Sequence, residues 1–277
     1  MNHRALQRTL FRMQADPEFA RALLAREPEA VRASDLTQEE LARIEGLDER
    51  ALRADPGGKR RTQILGNASS EYRLALAAAA RSEDAASFLG AFASSAEFHE
   101  ALRKEGRLPL AFGAYAARRA EETNDPVLAA IVTLERAMVA LRRDAVRELR
   151  TPTVTPLGEG ELILSPLVRI VALRAGTMDL AAELARDLRG EDGPAVACLA
   201  PGQERVLLRA QEPPSVHAIA DVAVELLQPP VDELLALAAI PLAASARADF
   251  ARQKGATPEV LERFLAGYVS EGVLLRG

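Results

Sequence analysis

Residues 151–160, TPTVTPLGEG, split this 277-residue chain into two halves that read with different periods. Two Pro, two Gly and three Thr in ten residues favour an irregular or extended linker. Just before it, Leu128, Ile131, Val132, Leu134, Met138 and Leu141 recur at helical spacing. That helix opens at Asp125-Pro126, an N-cap with Pro at the first helical position, and runs to about Leu149. Beyond the linker, Leu167-Val168-Arg169-Ile170-Val171-Ala172-Leu173 reads as a strand. The expected fold class is α+β, with an all-helical N-terminal part and a mixed C-terminal part.

Upstream of the linker the pattern is helix after helix. Leu6, Leu10, Phe11 and Met13 mark a first helix, and Asp16-Pro17 opens a second with Phe19, Leu23 and Leu24 as its stripe. Thr37 and Glu40 have capping-box spacing, as do Ser94 and Glu97. Pro56-Gly57-Gly58 is a break. A long helix is expected from Lys59 to about Ala80, weakened by Gly66 by about 1 kcal/mol relative to Ala. These signals divide the chain into three domains: 1–55 as a helical lead-in, 56–150 as a helical domain, and 151–277.

In the last domain, residues 178–189 read as a short helix. Segments 195–199 and 205–208 flank Pro201-Gly202, which predicts a hairpin with Cys198 buried in its first strand. Residues 216–226 alternate as a further strand, ended by Pro229-Pro230. Helices are expected at about 231–239, 241–254 and 258–271, then a short strand over Val273-Leu274-Leu275. Strands, then three helices, then a strand describe a winged helix-turn-helix-like domain with a small antiparallel sheet.

Composition narrows the function. Aromatics are 4% and Trp is absent, so cores built mainly from Ala, Leu and Val are expected. The net charge of −5 argues against a general nucleic-acid binder. The single Cys excludes an intrachain disulfide and a cysteine metal cluster, and points to a reducing, cytoplasmic compartment. No signal-like or membrane-spanning apolar run is present. His3, His99 and His217 lack metal-ligand spacing, so neither metal nor cofactor is expected. His99, between Glu97 and Glu100, reads as a partly exposed structural residue, because those neighbours point elsewhere on a helix. Arg60-Arg61, Arg118-Arg119 and Arg142-Arg143 read as solvated surface paired with acids, or as a positive face for an acidic partner.

Residues 88–143, FLGAFASSAEFHEALRKEG through LERAMVALRR, and the stretches LSPLVRIVALRAGTMDLAAEL, VHAIADVAVELLQPPVDELLALAAIPL and VLERFLAGYVSEGVLLRG resemble a family. It is that of partner subunits of multinuclear non-haem iron-dependent oxidases, which modify ribosomally made peptides as in methanobactin-type biosynthesis. Leu128, Leu134, Glu135, Ala137 and Met138, the opening Arg61, Ile64 and Asn67, Leu234-Leu235 with Pro241, and Glu271-Gly272-Val273-Leu274 carry the likeness across residues 60–277. The resemblance implies a chain that is not itself an enzyme, since the iron ligands belong to the oxidase. It implies two partners, that oxidase and a precursor-peptide leader, with no nucleic acid and no membrane. Under it, residues 56–150 dock the oxidase, with Arg61, Arg118, Arg119, Arg142 and Arg143 as contacts. The leader adds a strand beside residues 216–224, where Val216, Ile219, Leu261, Phe264 and Tyr268 form the peptide site. The alternative is a winged-helix DNA-binding transcription regulator. Its recognition helix, TPEVLERFLAGYVSEG, offers Arg263 against Glu259, Glu262 and Glu271, a poor set for phosphate contacts.

Overall fold

The computed structural model describes residues 3–45, 59–104, 107–150, 158–191, 198–210, 215–219 and 242–276. Its contacts divide the chain into two compact units, Met1–Glu135 with Ala181–Ala195, and Arg136–Leu180 with Val196–Gly277. Helices and small antiparallel sheets together make the fold α+β.

The first unit is helical. Helices α1 (His3–Ala15), α2 (Pro17–Leu24), α3 (Pro28–Ser34) and α4 (Gln38–Glu45) enclose Met13, Phe19, Ala20, Leu23, Ala30, Leu41 and Ile44. Asp16 caps α2 as expected, its Oδ1 accepting the Glu18 and Phe19 amides at 3.1 Å. Thr37 and Glu40 form the capping box at α4, with bonds of 3.0 and 3.3 Å. Helix α1 also packs on α5 (Lys59–Ser69) and α8 (Ala96–Arg103), so the first helices are one unit with helices further along the chain.

The expected 59–80 helix is two helices, α5 and α6 (Arg73–Ala79). Ser69 and Ser70 explain the break: their hydroxyls donate to the carbonyls of Leu65 (2.9 Å) and Asn67 (3.1 Å), competing with the helical ladder. The capping box expected at Ser94 is also displaced. Ser95 caps α8, accepting the Phe98 amide at 3.2 Å, while Ser94 donates its hydroxyl to Asp16. Helices α7 (Ala85–Ala93), α9 (Leu108–Glu122), the first part of α10 (Pro126–Arg150), up to Glu135, and most of α11 (Thr177–Arg189) complete the unit, α10 opening on the Asp125 cap and continuing into the second unit.

The core of this unit is built mainly from Ala and Leu, as the composition leads one to expect, with a cluster of aromatics set within it. Its largest fully buried side chains are Tyr72, Tyr115, Phe88, Phe92, Phe98 and Phe112. They meet largely edge-on, as Phe92 does with Phe98 (5.2 Å, 82°) and Phe112 (5.1 Å, 86°). The chain has few aromatics, and it concentrates them here. Gly113 lets α9 reach Tyr72, because a Cβ there would lie 2.2 Å from the phenol oxygen.

The second unit is mixed. Strands β2 (Val168–Arg174), β3 (Gln203–Arg209) and β4 (Ser215–Ala218) form an antiparallel sheet in the order β2-β3-β4. Strand β1 (Leu162–Leu164) pairs separately with β5 (Leu274–Arg276), the short C-terminal strand the sequence predicts. Helices α12 (Ala244–Gln253) and α13 (Pro258–Ser270) match the last two expected helices, while the one expected at 231–239 and the strand beyond Ile219 lie outside the described residues.

The expected hairpin around Pro201-Gly202 does not form that way. Residues 198–202 are not a strand, and β3 pairs with β2. The Ala200 amide instead donates to the Ala175 carbonyl, and the Ala175 amide to that of Gly202. Cys198 is therefore exposed, contrary to the buried thiol expected. Gly176 permits the close approach, since its φ is +87° and a Cβ there would sit 2.5 Å from the Cys198 carbonyl oxygen.

Candidate functional site

Strand β4 and helix α13 hold the residues expected to read a peptide. Val216, half-buried, pairs with Leu208 in β3. Ile219 is buried with Val168, Leu207 and Val273, and Phe264 and Tyr268 pack partly buried against this cluster. Leu261 belongs to the adjoining cluster of Leu162, Ala251, Leu265 and Leu274, which Phe264 and Tyr268 also touch. The rings of Phe264 and Tyr268 meet edge-on at 5.3 Å. The structure thus brings Ile219, Phe264 and Tyr268 together and joins Leu261 to them through shared neighbours. In the sheet order β4 is terminal, with β3 as its neighbour among the described strands.

Arg247 anchors this framework, and sequence reasoning passed it over. Its guanidinium is buried, with Nε 2.6 Å from Glu262 of α13 and Nη1 donating to the carbonyls of Gly160 (2.9 Å) and Leu242 (2.8 Å). One fork thereby joins α12, α13 and the approach to β1. Arg169 of β2 is likewise buried and paired with Asp144 of α10. Neither arginine sits in a motif that announces its burial.

The expected docking arginines are dispersed. Arg118 grips Glu97 with two nitrogens, at 2.7 and 3.2 Å, and also pairs with Glu122. The Glu97 bond, ahead of Glu122, raises its already high pKa. Arg119 lies 3.5 Å from Glu83 and 3.4 Å from Glu122. Arg142 and Arg143 are half-buried on α10, and Arg61 lies on α5, its side chain outside the described residues. Arg118 and Arg119 therefore already have acidic partners within the chain.

A polar cluster in the helical unit has no sequence signal. The ring of His99 on α8 lies between Arg12 and Asp16, more than eighty residues away in sequence. Arg12 Nη2 donates to His99 Nδ1 at 2.8 Å. A guanidinium has no acceptor, so Nδ1 accepts and the ring proton sits on Nε2. Nε2 in turn faces Asp16 Oδ2 (3.3 Å) and the Ala93 carbonyl (3.1 Å). Burial opposes ionisation of Asp16, but bonds from His99 and the Phe19 amide, followed by the positive charge facing it from the His99 and Arg12 side, outweigh it and hold the carboxyl below its ordinary value. Burial brings Arg12 down to about 10, against the pull of Asp16. Its guanidinium also stacks 3.5 Å above Phe19. Ser94 bonds Asp16 and not the imidazole, so this is no nucleophile–base pair.

Beside the cluster opens a pocket of about 270 Å³ between α1, the end of α3 and α8. Arg8, Arg12, His99 and Arg103 line it together with Asp35 and Glu100. Among the described residues, no three His, Cys, Asp or Glu side chains are grouped to hold a metal ion, and no helix is long and apolar enough to cross a membrane. No family model matches the chain, and no curated protein matches it.

Proposed function

We propose that this chain is a non-catalytic, cytoplasmic partner subunit that binds the leader of a ribosomally made precursor peptide and presents it to a multinuclear iron-dependent oxidase. The observation that carries the reading is β4, terminal among the described strands of a three-stranded antiparallel sheet and backed by the Ile219–Phe264–Tyr268 cluster. A terminal strand offers main-chain donors and acceptors to an added strand, and the apolar layer beneath keeps it rigid. We read α12, α13 and the short strands as a winged helix-turn-helix-like module adapted to peptide. Helix α13 and its end expose Glu259 and Glu271 against the single cation Arg263, a set poor in phosphate contacts, which supports peptide over DNA. The helical part serves as the oxidase dock.

Hydrogen exchange of the full chain tests this. A leader peptide encoded beside the chain should slow exchange of the amides of residues 215–219. Binding without protection there would move the site elsewhere, and tighter binding to duplex DNA than to leader would replace the reading. Co-expression with a neighbouring iron oxidase should give a complex that survives size exclusion.

A further inference from the structure

We propose that the pocket between α1, α3 and α8 is a binding site for a carboxylate borne on a short aliphatic body. This site is independent of the peptide reading above, since it lies wholly in residues 8–103.

Charge is the first argument. Arg8 donates one N–H to the Arg103 carbonyl oxygen at 2.6 Å and makes no ion pair among the described residues. Arg12 donates to the Ala33 carbonyl and to His99, and its charge is answered in part by Asp16 across that ring. The carbonyl acceptor of Arg8 satisfies a single donor and leaves that positive charge without an acid among the described residues. Each guanidinium carries five N–H groups, so both arginines keep donors to spend. Arg103 is already engaged by Glu100.

The ligand class follows from the acids in the wall. With Arg8, Arg12, Arg103 and Lys104 set against Asp16, Asp35 and Glu100, the pocket and the ionic partners of its lining carry one net positive charge. That matches a monoanion. A phosphate dianion would be left with excess charge against Asp35 and Glu100. A planar carboxylate also suits the guanidinium fork, which binds it through parallel N–H bonds. Ala33, Ala96 and Leu102 supply an apolar wall, and about 270 Å³ is more than a bare acetate fills. A free short-chain acid and the terminal carboxylate of a peptide share this chemistry.

His99 is the reporter, because its Nδ1 is bonded to Arg12 and its ring lines the pocket. The full-length protein, with labelled histidine, is titrated with butyrate, with N-acetyl-Ala-Leu bearing a free carboxylate, with the amide of that dipeptide, and with inorganic phosphate at matched ionic strength. Butyrate and the dipeptide acid should shift the His99 ring signals saturably and leave those of His217 in place, and the amide should not. A response to the dipeptide acid alone also supports the site and names a peptide as its source. Arg8→Gln should weaken binding at least about tenfold, the loss of one charged hydrogen bond. Ala96→Leu, at an exposed lining position, should weaken it by filling space without touching a charge. The proposal is overturned if neither carboxylate moves His99, if the amide or phosphate binds as well as the dipeptide acid, or if both variants, folded by circular dichroism, bind like the parent protein.

Discussion

Among the described residues, the buried charges of the helical unit are all carboxylates, Asp16, Glu40, Glu135 and Glu183, while those of the mixed unit are the guanidiniums of Arg169 and Arg247. The contrast follows from what each kind of structure leaves unpaired. Every helix start exposes amides without intrahelical acceptors, and short helices multiply such starts. Asp16 takes the Glu18 and Phe19 amides, Glu40 takes that of Thr37, and Glu135 takes those of Leu74 and Ala75 at 2.9 and 2.8 Å. In the mixed unit the groups to be met are carbonyls where strands and helices change direction. Arg247 meets two of them, at Gly160 and Leu242. Three of the four buried acids thus mark where helices begin, Glu183 pairing instead with Arg81, and Arg247 marks where loops converge.

The largest effect should come from breaking the buried base. Arg247→Ala strands two carbonyls and takes from Glu262 the nearer of its two arginine partners, and should cost about 4 kcal/mol. Arg247→Met fills similar volume without the donors and should recover only part. Chemical denaturation with exchange read by region should place the loss in residues 158–165 and 242–276. A loss spread evenly over the helical unit would erase the distinction. Glu135→Ala should come next, at about 3 kcal/mol, because two buried amides of α6 lose a charged acceptor. Here the early exchange should appear at residues 73–79. Glu135→Gln keeps one oxygen and should cost less, so equal costs for Ala and Gln would show that shape and not the acceptor matters.

A third test bears on packing. Gly113→Ala forces Tyr72 away from α9 and should cost about 2 kcal/mol by overpacking. An unchanged melting curve would mean that the aromatic core yields without strain.

These residues also show what the sequence makes legible. Caps written locally, Asp16-Pro17, Thr37 with Glu40 and Asp125-Pro126, stand where spacing puts them, because a cap needs only its own next turn. The boundaries of α12, α13 and β5 are equally local. Glu135, by contrast, is one more acid on a long helix until α6 is laid against it, and the pattern around 69–72 hides that α6 exists. Arg247 and the Arg12–His99–Asp16 chain depend on residues far apart in sequence, for which no spacing rule exists. The hairpin expected around Pro201-Gly202 is a sound local solution that loses to longer-range pairing of β3 with β2. Of the residues expected to form the peptide site, Ile219, Phe264 and Tyr268 meet in one cluster, although the alternation over 216–226 places Ile219 on the face opposite Val216. Periodicity records that a residue faces inward and is silent about what it faces.

The smallest expected effect is the one that depends on pH. Asp16 is held below its ordinary value of 3.8, so its ionised form is favoured more in the folded than in the unfolded chain. The resulting stability is present above the ordinary value and is lost as pH falls through the lower folded value. Asp16→Asn retains a capping oxygen for the Glu18 and Phe19 amides but gives up the charge that faces His99 and Arg12. At neutral pH it should cost about 1 kcal/mol, within the range of a lost cap. As pH drops below 3.8 that difference from the parent protein should shrink towards zero, since the parent then loses its own charge. The Arg247 contrast offers the control, because a guanidinium keeps its charge across the acid range. Denaturant midpoints of both variants between neutral pH and the acid limb would separate them. An Asp16→Asn deficit that stayed constant with pH would show that the carboxylate acts there only as a neutral acceptor could, and buried acids in this unit would then be caps without an electrostatic share.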